Sequence, residues 1–217
     1  MEINKTLPFL NPVELRVLGS LIEKSKTTPD YYPMTLNALT AACNQKTSRK
    51  PVVEYDEETV VIALNSLKSQ SLVSTAVGGS IRSVKYKHNF TTVFPLSPAE
   101  LAVLCLLILR GPQTPGELNT NAARLYEFSS LEEVHTVLNK LKDSEVPFVK
   151  ELSKRAGQKE VRYVHLLGEI IEPEEDEVYE ETARKSVNDL EARLAAVESE
   201  LTQLKETVNK LMKELMG

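Results

Sequence analysis

Apolar residues recur along the first 168 positions with a period that switches from helical to strand-like, and the switch happens twice. Leu15, Leu18 and Ile22 fall at helical spacing behind Asn11-Pro12-Val13-Glu14. There Asn11 suits an N-cap, Pro12 the first helical position, and Glu14 the third position of a capping box. Ser97-Pro98-Ala99-Glu100 opens another helix in the same way. That helix is apolar almost without a break to Leu109, which marks it as the more buried one, and Gly111-Pro112 stops it. Second helices open at Thr35, with Leu36, Leu39 and Ala42 inward, and at Thr114-Pro115-Gly116-Glu117. Third helices run from about Asp56 to Ser69 and from about Ser130 to Lys142. Their inward stripes are Val60, Leu64, Leu67 and Val134, Leu138, Leu141. The period then becomes two. Leu72 to Val77 and Ile81 to His88 flank Gly78-Gly79-Ser80, and Pro147 to Leu152 and Glu160 to Leu166 flank Ala156-Gly157-Gln158. Both read as β-hairpins. Val161, Tyr163 and His165 are expected on one face, Arg162 and Val164 on the other.

The two halves are copies. Asn11-Pro12-Val13-Glu14-Leu15 returns as Ser97-Pro98-Ala99-Glu100-Leu101, 86 positions later. Val60, Leu64, Asn65 and Leu67 return as Val134, Leu138, Asn139 and Leu141, 74 later, and Val84-Lys85-Tyr86-Lys87-His88 as Val161-Arg162-Tyr163-Val164-His165, 77 later. Ordered blocks with drifting offsets indicate a duplicated supersecondary unit. Three helices and a hairpin describe a winged helix-turn-helix. The predicted fold is therefore mainly α with small β wings, an α+β chain of tandem winged-helix domains. They span residues 8–90 and 95–168, joined through the short stretch Phe90 to Leu96, and each is long enough for a small core of its own.

A different pattern follows. Glu172-Pro173-Glu174-Glu175-Asp176-Glu177 lies in an acidic linker, residues 169–182. Over 183–216, Val187, Leu190, Leu194, Val197, Leu201, Leu204, Val208, Leu211 and Leu215 alternate spacings of three and four, the heptad of a coiled coil. Across a parallel dimer Arg193 would face Glu198, and Glu200 would face Lys205, both attractive. The expectation is a helix of ~30 residues, ~45 Å long, which makes the chain's first partner a second copy of itself.

Charge changes the picture more than composition does. The net −5 hides an asymmetry: residues 1–90 carry 11 basic and 8 acidic side chains, 91–168 carry 9 and 9, and 169–217 carry 6 and 14. No apolar run approaches the ~18 residues of a membrane span. Met1-Glu2-Ile3-Asn4-Lys5 lacks the apolar stretch of a signal peptide, so a cytoplasmic location and no membrane partner are expected. Cys43 and Cys105 have neither disulfide nor zinc spacing and read as buried small hydrophobes.

No catalytic constellation emerges. His88 and His165 hold matched strand positions, which points to structure, such as rings packed beside Tyr86 or Tyr163; His135 stands alone on a helix surface. No nucleophile has a recognisable base, and no glycine-rich phosphate loop is present. No enzyme, cofactor or metal is expected. Nucleic acid is the natural ligand of a winged helix. Its candidate contacts are Lys46, Arg49 and Lys50 in the turn before the third helix, Arg82, Lys85 and Lys87 in the first wing, and Lys154, Arg155, Lys159 and Arg162 in the second. The third helices argue otherwise. They begin Asp56-Glu57-Glu58 and Leu131-Glu132-Glu133 and lack the arginines and glutamines that usually read base edges. Duplex DNA and an unidentified protein therefore both remain candidate partners. The second alternative makes the chain a scaffold, similar in outline to chromosome-condensation accessory proteins of the ScpB type.

Several long strings carry a resemblance. They are Tyr31-Tyr32-Pro33-Met34-Thr35-Leu36-Asn37-Ala38-Leu39, Ala42-Cys43-Asn44-Gln45-Lys46-Thr47-Ser48-Arg49, Leu109-Arg110-Gly111-Pro112-Gln113-Thr114-Pro115-Gly116-Glu117-Leu118 and Arg162-Tyr163-Val164-His165-Leu166-Leu167. Over about residues 8–168 the chain resembles the bacterial YceH-like family of uncharacterised proteins. The resemblance implies a tandem winged helix and assigns no activity, ligand or functional residue. Asn119-Thr120-Asn121-Ala122 departs from the more basic run the resemblance leads one to expect.

Overall fold

The computed structural model describes residues 6–76, 84–154 and 160–169. The heptad positions Val187 to Leu215, the acidic linker beyond Glu169, and Arg82, Arg155 and Lys159 lie outside the described residues.

The chain is α+β, with its helices and two small antiparallel sheets arranged as one order repeated. In the first half α1 (Pro12–Thr27) is followed by a single 3-10 turn (Pro29–Tyr31), β1 (Met34–Thr35), α2 (Leu36–Cys43), α3 (Glu57–Ser69), β2 (Val73–Ala76) and β3 (Lys85–His88). A short α4 (Phe90–Val93) sits in the connecting stretch. The second half supplies α5 (Pro98–Arg110), α6 (Pro115–Ala122), α7 (Leu131–Asp143), β4 (Val149–Glu151) and β5 (Tyr163–His165).

Local chemistry places these starts. Asn11, Ser97 and Thr114 each accept from the N3 backbone N–H while Glu14, Glu100 and Glu117 accept from the cap's own N–H. All three are complete capping boxes with proline in the first turn. Thr35, Asp56 and Ser130 cap α2, α3 and α7 through their side chains. Gly111 ends α5 at φ +77°, a conformation glycine adopts without a Cβ penalty.

The strands are duplicated to the register. β3 lies between β1 and β2, with Met34 and Thr75 both opposite Tyr86 and Val73 opposite His88. In the second half Val149 is opposite His165, and Gln113 forms a bridge with Tyr163 where β1 stood in the first copy. One expectation changes. Tyr163, Val164 and His165 are all buried, so the two-residue alternation does not divide β5 into an inner and an outer face. This three-residue strand packs beside α5 and pairs with β4.

The two halves share one apolar core, and the described residues belong to a single compact unit that ends at Ile171. α1 and α5 pack directly on each other. Gly19 permits this: a Cβ there would lie 2.8 Å from Ile108 Cγ2 and 2.8 Å from Leu109 Cδ2. Phe94, just after α4, meets Phe90 at 5.1 Å and Phe148 edge-on at 5.5 Å, so the connector is itself core. Leu10 N–H donates to the Leu167 carbonyl at 2.7 Å, which ties the entry of α1 to the chain just after β5. Cys43 and Cys105 are buried thiols within this core.

Candidate nucleic-acid interface

The 44–51 turn between α2 and α3 was the most basic loop of the first half, and its basic residues divide sharply. Arg49 points inward with a side chain that is 0% exposed. Its Nη1 and Nη2 donate to Glu23 Oε1 and Oε2 at 3.0 and 2.6 Å, a bidentate pair, and they also donate to the Ser48 and Ala42 carbonyls at 2.9 and 3.0 Å. Arg49 is therefore a structural plug and not a surface cation; both ends of its fork are taken up inside the protein. Burial pushes the Glu23 carboxyl up, but the Arg49 hydrogen bonds and charge, helped by Lys24, prevail and hold it below the usual carboxylate range. Arg16, on α1, closes the mouth of the same turn. Its Nη1 donates to Cys43 O at 3.0 Å and its Nη2 to Pro51 O at 2.6 Å. Burial, then the neighbouring Arg49 charge, lowers its pKa. Asn44 pairs both ways with the Tyr55 backbone at 2.7 and 2.8 Å. What remains outside is the tip: Lys46, Thr47 and Ser48 are exposed, and Lys50 is half-buried with its backbone N–H on Leu109 O at 2.8 Å.

Sequence reasoning missed this arrangement, although one signal was present. Arg16 sits between Leu15 and Val17 in an α1 that is buried nearly all round. An arginine in such a run has to find carbonyls or carboxylates inside.

On the first hairpin Lys85 and Lys87 share one face of β3, Tyr86 and His88 the other. Lys87 is exposed and Lys85 half-buried. His88 does not stack on Tyr86; its ring lies 6.1 Å from Tyr32, whose hydroxyl accepts from the His88 backbone N–H at 2.7 Å. In the second half Lys154 is exposed, whereas Arg162 is half-buried with its Nε enclosed. The structure thus brings Lys85 and Lys87 together and separates Arg49 from them.

The outward faces of α3 and α7 carry other chemistry. On α3 the exposed residues are Glu57, Glu58, Ile62, Asn65 and Ser69; Ile62 is 64% exposed. On α7 they are Leu131, Glu132, His135, Thr136, Asn139, Lys140 and Asp143. Glu133 turns away, accepting from Ser129 N–H and Oγ and from the Tyr126 hydroxyl, each at 2.8 Å. Among the described residues no cluster of three or more histidine, cysteine or acidic side chains is placed to hold a metal, and no helix is long and apolar enough to cross a membrane.

These features define an α+β protein of helices and small antiparallel sheets. The chain belongs to the bacterial family described as "Protein of unknown function, DUF480", which it matches over residues 10–158. It is 43% identical over 212 residues to a UPF0502 protein of Shewanella pealeana, covering 94% of this chain and 98% of that one. A UPF0502 protein of Shewanella baltica is 52% identical over 157 residues, 70% of each chain. One from Opitutus terrae is 49% identical over 166 residues, 76% of this chain and 72% of the other. The membership agrees with the resemblance to the YceH-like family drawn from the sequence.

Proposed function

We propose that this chain is a non-catalytic, cytoplasmic tandem winged-helix protein that contacts duplex DNA through its phosphates. The observation that carries the reading is the first half's element order. Helix, strand, two helices and two strands, with the sheet ordered β1-β3-β2, is the layout of a winged helix, and Lys85 and Lys87 project from one face of its wing. Lys46 at the turn tip and Lys154 beyond β4 extend the set, and the sequence adds Arg82 between β2 and β3 and Arg155 and Lys159 between β4 and β5. Contacts of this kind position a protein on DNA without reading sequence. The acidic first turns of α3 and α7 fit that restriction, because carboxylates beside base edges and phosphates are repelled.

Binding to a random duplex across a salt series tests the reading. Each neutralised phosphate adds roughly −0.9 to the slope of log affinity against log salt. Replacing Arg82, Lys85 and Lys87 with Glu is expected to abolish binding. No measurable binding by the unaltered chain at low salt would remove the DNA reading. The scaffold reading would then stand, favoured by one observation: α3 and α7 expose aliphatic Ile62 and Leu131 among carboxylates where a DNA reader carries arginine or glutamine. In either case the heptad from Val187 to Leu215 makes the chain a parallel homodimer. Sedimentation equilibrium is expected to show twice the chain mass for the full chain and the single mass after truncation at Gly168; equal states would refute the tail's role.

A further inference from the structure

The 44–51 turn of the first repeat is held from the second. Arg110, the last residue of α5, forks between two oxygens: Nη2 donates to Ser48 Oγ at 2.8 Å and Nη1 to Asn121 Oδ1 at 2.7 Å. Asn121 Nδ2 donates onward to Gln113 Oε1 at 2.8 Å. Gln113 exchanges both backbone hydrogen bonds with Tyr163 of β5, at 3.1 and 2.8 Å. A continuous polar chain therefore runs from the basic turn of one repeat to the hairpin of the other. Beside it, Lys50 N–H donates to Leu109 O at 2.8 Å. Within the turn, Ser48 has φ +61°, which is uncommon for a residue other than glycine and persists where the surroundings hold it. Ser48 is exposed, so its surroundings are few, and the Arg110 guanidinium is one of them.

We propose that Arg110 is a positioning residue: by fixing Ser48 it presents Lys46 and Thr47 of the first repeat to phosphate oxygens, so that the second repeat governs a contact made by the first. The phosphate half of this proposal rests on the DNA reading above; the positioning half does not. The planar guanidinium supplies two donors in a fixed fork that a lysine ammonium cannot reproduce. The effect of Arg110→Lys therefore separates geometry from bare charge. Asn121, which stands in the run that departs from the expected basic one, serves as the fork's second anchor.

The test compares the full chain with Arg110→Gln, Arg110→Lys, Ser48→Ala and the Arg110→Gln/Ser48→Ala double variant. Amide hydrogen exchange is read at residues 46–50, with thermal melts and binding to a random duplex at low salt. Ser48→Ala removes the same hydrogen bond from an exposed site and serves if Arg110 variants fold poorly. Exchange at 46–50 is expected to rise in every variant while melting temperatures stay within a few degrees. Duplex affinity is expected to fall by roughly three- to tenfold, the size of one hydrogen bond. The double variant is expected to be no worse than either single one, as for two ends of one interaction. Unchanged exchange at 46–50 overturns the positioning role, whatever the DNA result. Raised exchange with unaltered affinity overturns the presentation of Lys46 and Thr47. Full affinity in Arg110→Lys would mean that charge alone matters. If the unaltered chain binds no duplex, the DNA reading falls with the phosphate half, and exchange still decides whether Arg110 holds the turn.

Discussion

Acidification to pH 5 is expected to weaken the fold by about 4 kcal/mol through two matched histidines. His88 and His165 stand opposite Val73 and Val149 at the same place in their sheets. Burial pushes both down to about 4, and the Lys26 charge adds to the effect at His88. The Nδ1 atom of each is enclosed without a hydrogen-bond partner among the described residues, and His88 Nε2 lies 3.2 Å from Ser25 Oγ. Among the described residues neither ring has a carboxylate to share its proton. In the unfolded chain both return to an ordinary value near 6.5. Between 6.5 and 4 the unfolded chain binds the extra protons, so stability is complete above pH 6.5 and is lost as the pH falls. Integrated to pH 5, the difference is about 2 kcal/mol for each histidine, and to pH 4 about 3. Urea unfolding followed by circular dichroism from pH 7.5 to 5 reads this directly, because ordinary carboxylates titrate mostly below that window. His88→Gln and His165→Gln are each expected to remove about half of the pH-dependent loss, and the double variant to flatten it. A double variant that keeps the full pH slope would refute the assignment.

Two further predictions concern packing. Gly19→Val forces a branched side chain into the 2.8 Å gaps against Ile108 and Leu109 and is expected to destabilise by about 2–3 kcal/mol in a thermal melt; an unchanged melt would mean that α1 and α5 can part. Arg49→Ala leaves Glu23 in a largely enclosed site and is expected to lose about 3–5 kcal/mol, whereas Glu23→Leu combined with Arg49→Met regains a large part. Equal losses in the two would argue against a buried pair.

The parts of this fold that were legible in the sequence are those whose physics is local. Asn11, Ser97 and Thr114 cap helices three residues ahead of their glutamates, and each falls where its spacing places it. The paired strands, Val73–Ala76 with Lys85–His88 and Val149–Glu151 with Tyr163–His165, likewise fall within the stretches where the period becomes two. Features that depend on distant chain were not legible. Arg49 looked like a phosphate contact because nothing nearby revealed Glu23, 26 residues earlier, as its partner. The ring next to His88 is Tyr32 and not the adjacent Tyr86, because the pairing of β1 with β3 brings the segment just before β1 alongside the end of β3. β1 is two residues long, too short for any period, and α4 lies in a stretch that reads as a plain connector. Of the candidate cations, those whose exposure a strand or loop determines, Lys46, Lys87 and Lys154, face outward. Lys50, Lys85 and Arg162 are half-buried, and the one candidate fully drawn in, Arg49, is an arginine, whose planar and weakly hydrated head tolerates burial better than an ammonium does.

The hydrogen bond from Leu10 to Leu167 joins the two ends of the duplicated unit, and Gly168 lies so close that a Cβ there would meet the Leu10 carbonyl oxygen at 2.5 Å. The described unit is thus closed on itself, with the entry of α1 tied to the chain just after β5. A chain opened at the exposed Pro95 and rejoined by a short link from Gly168 back to Leu7 would trace the same core in permuted order. Such a permuted chain is expected to keep a single cooperative thermal melt, since its ends would be joined where the backbone already meets; loss of that melt would mean that the original order of the halves is needed.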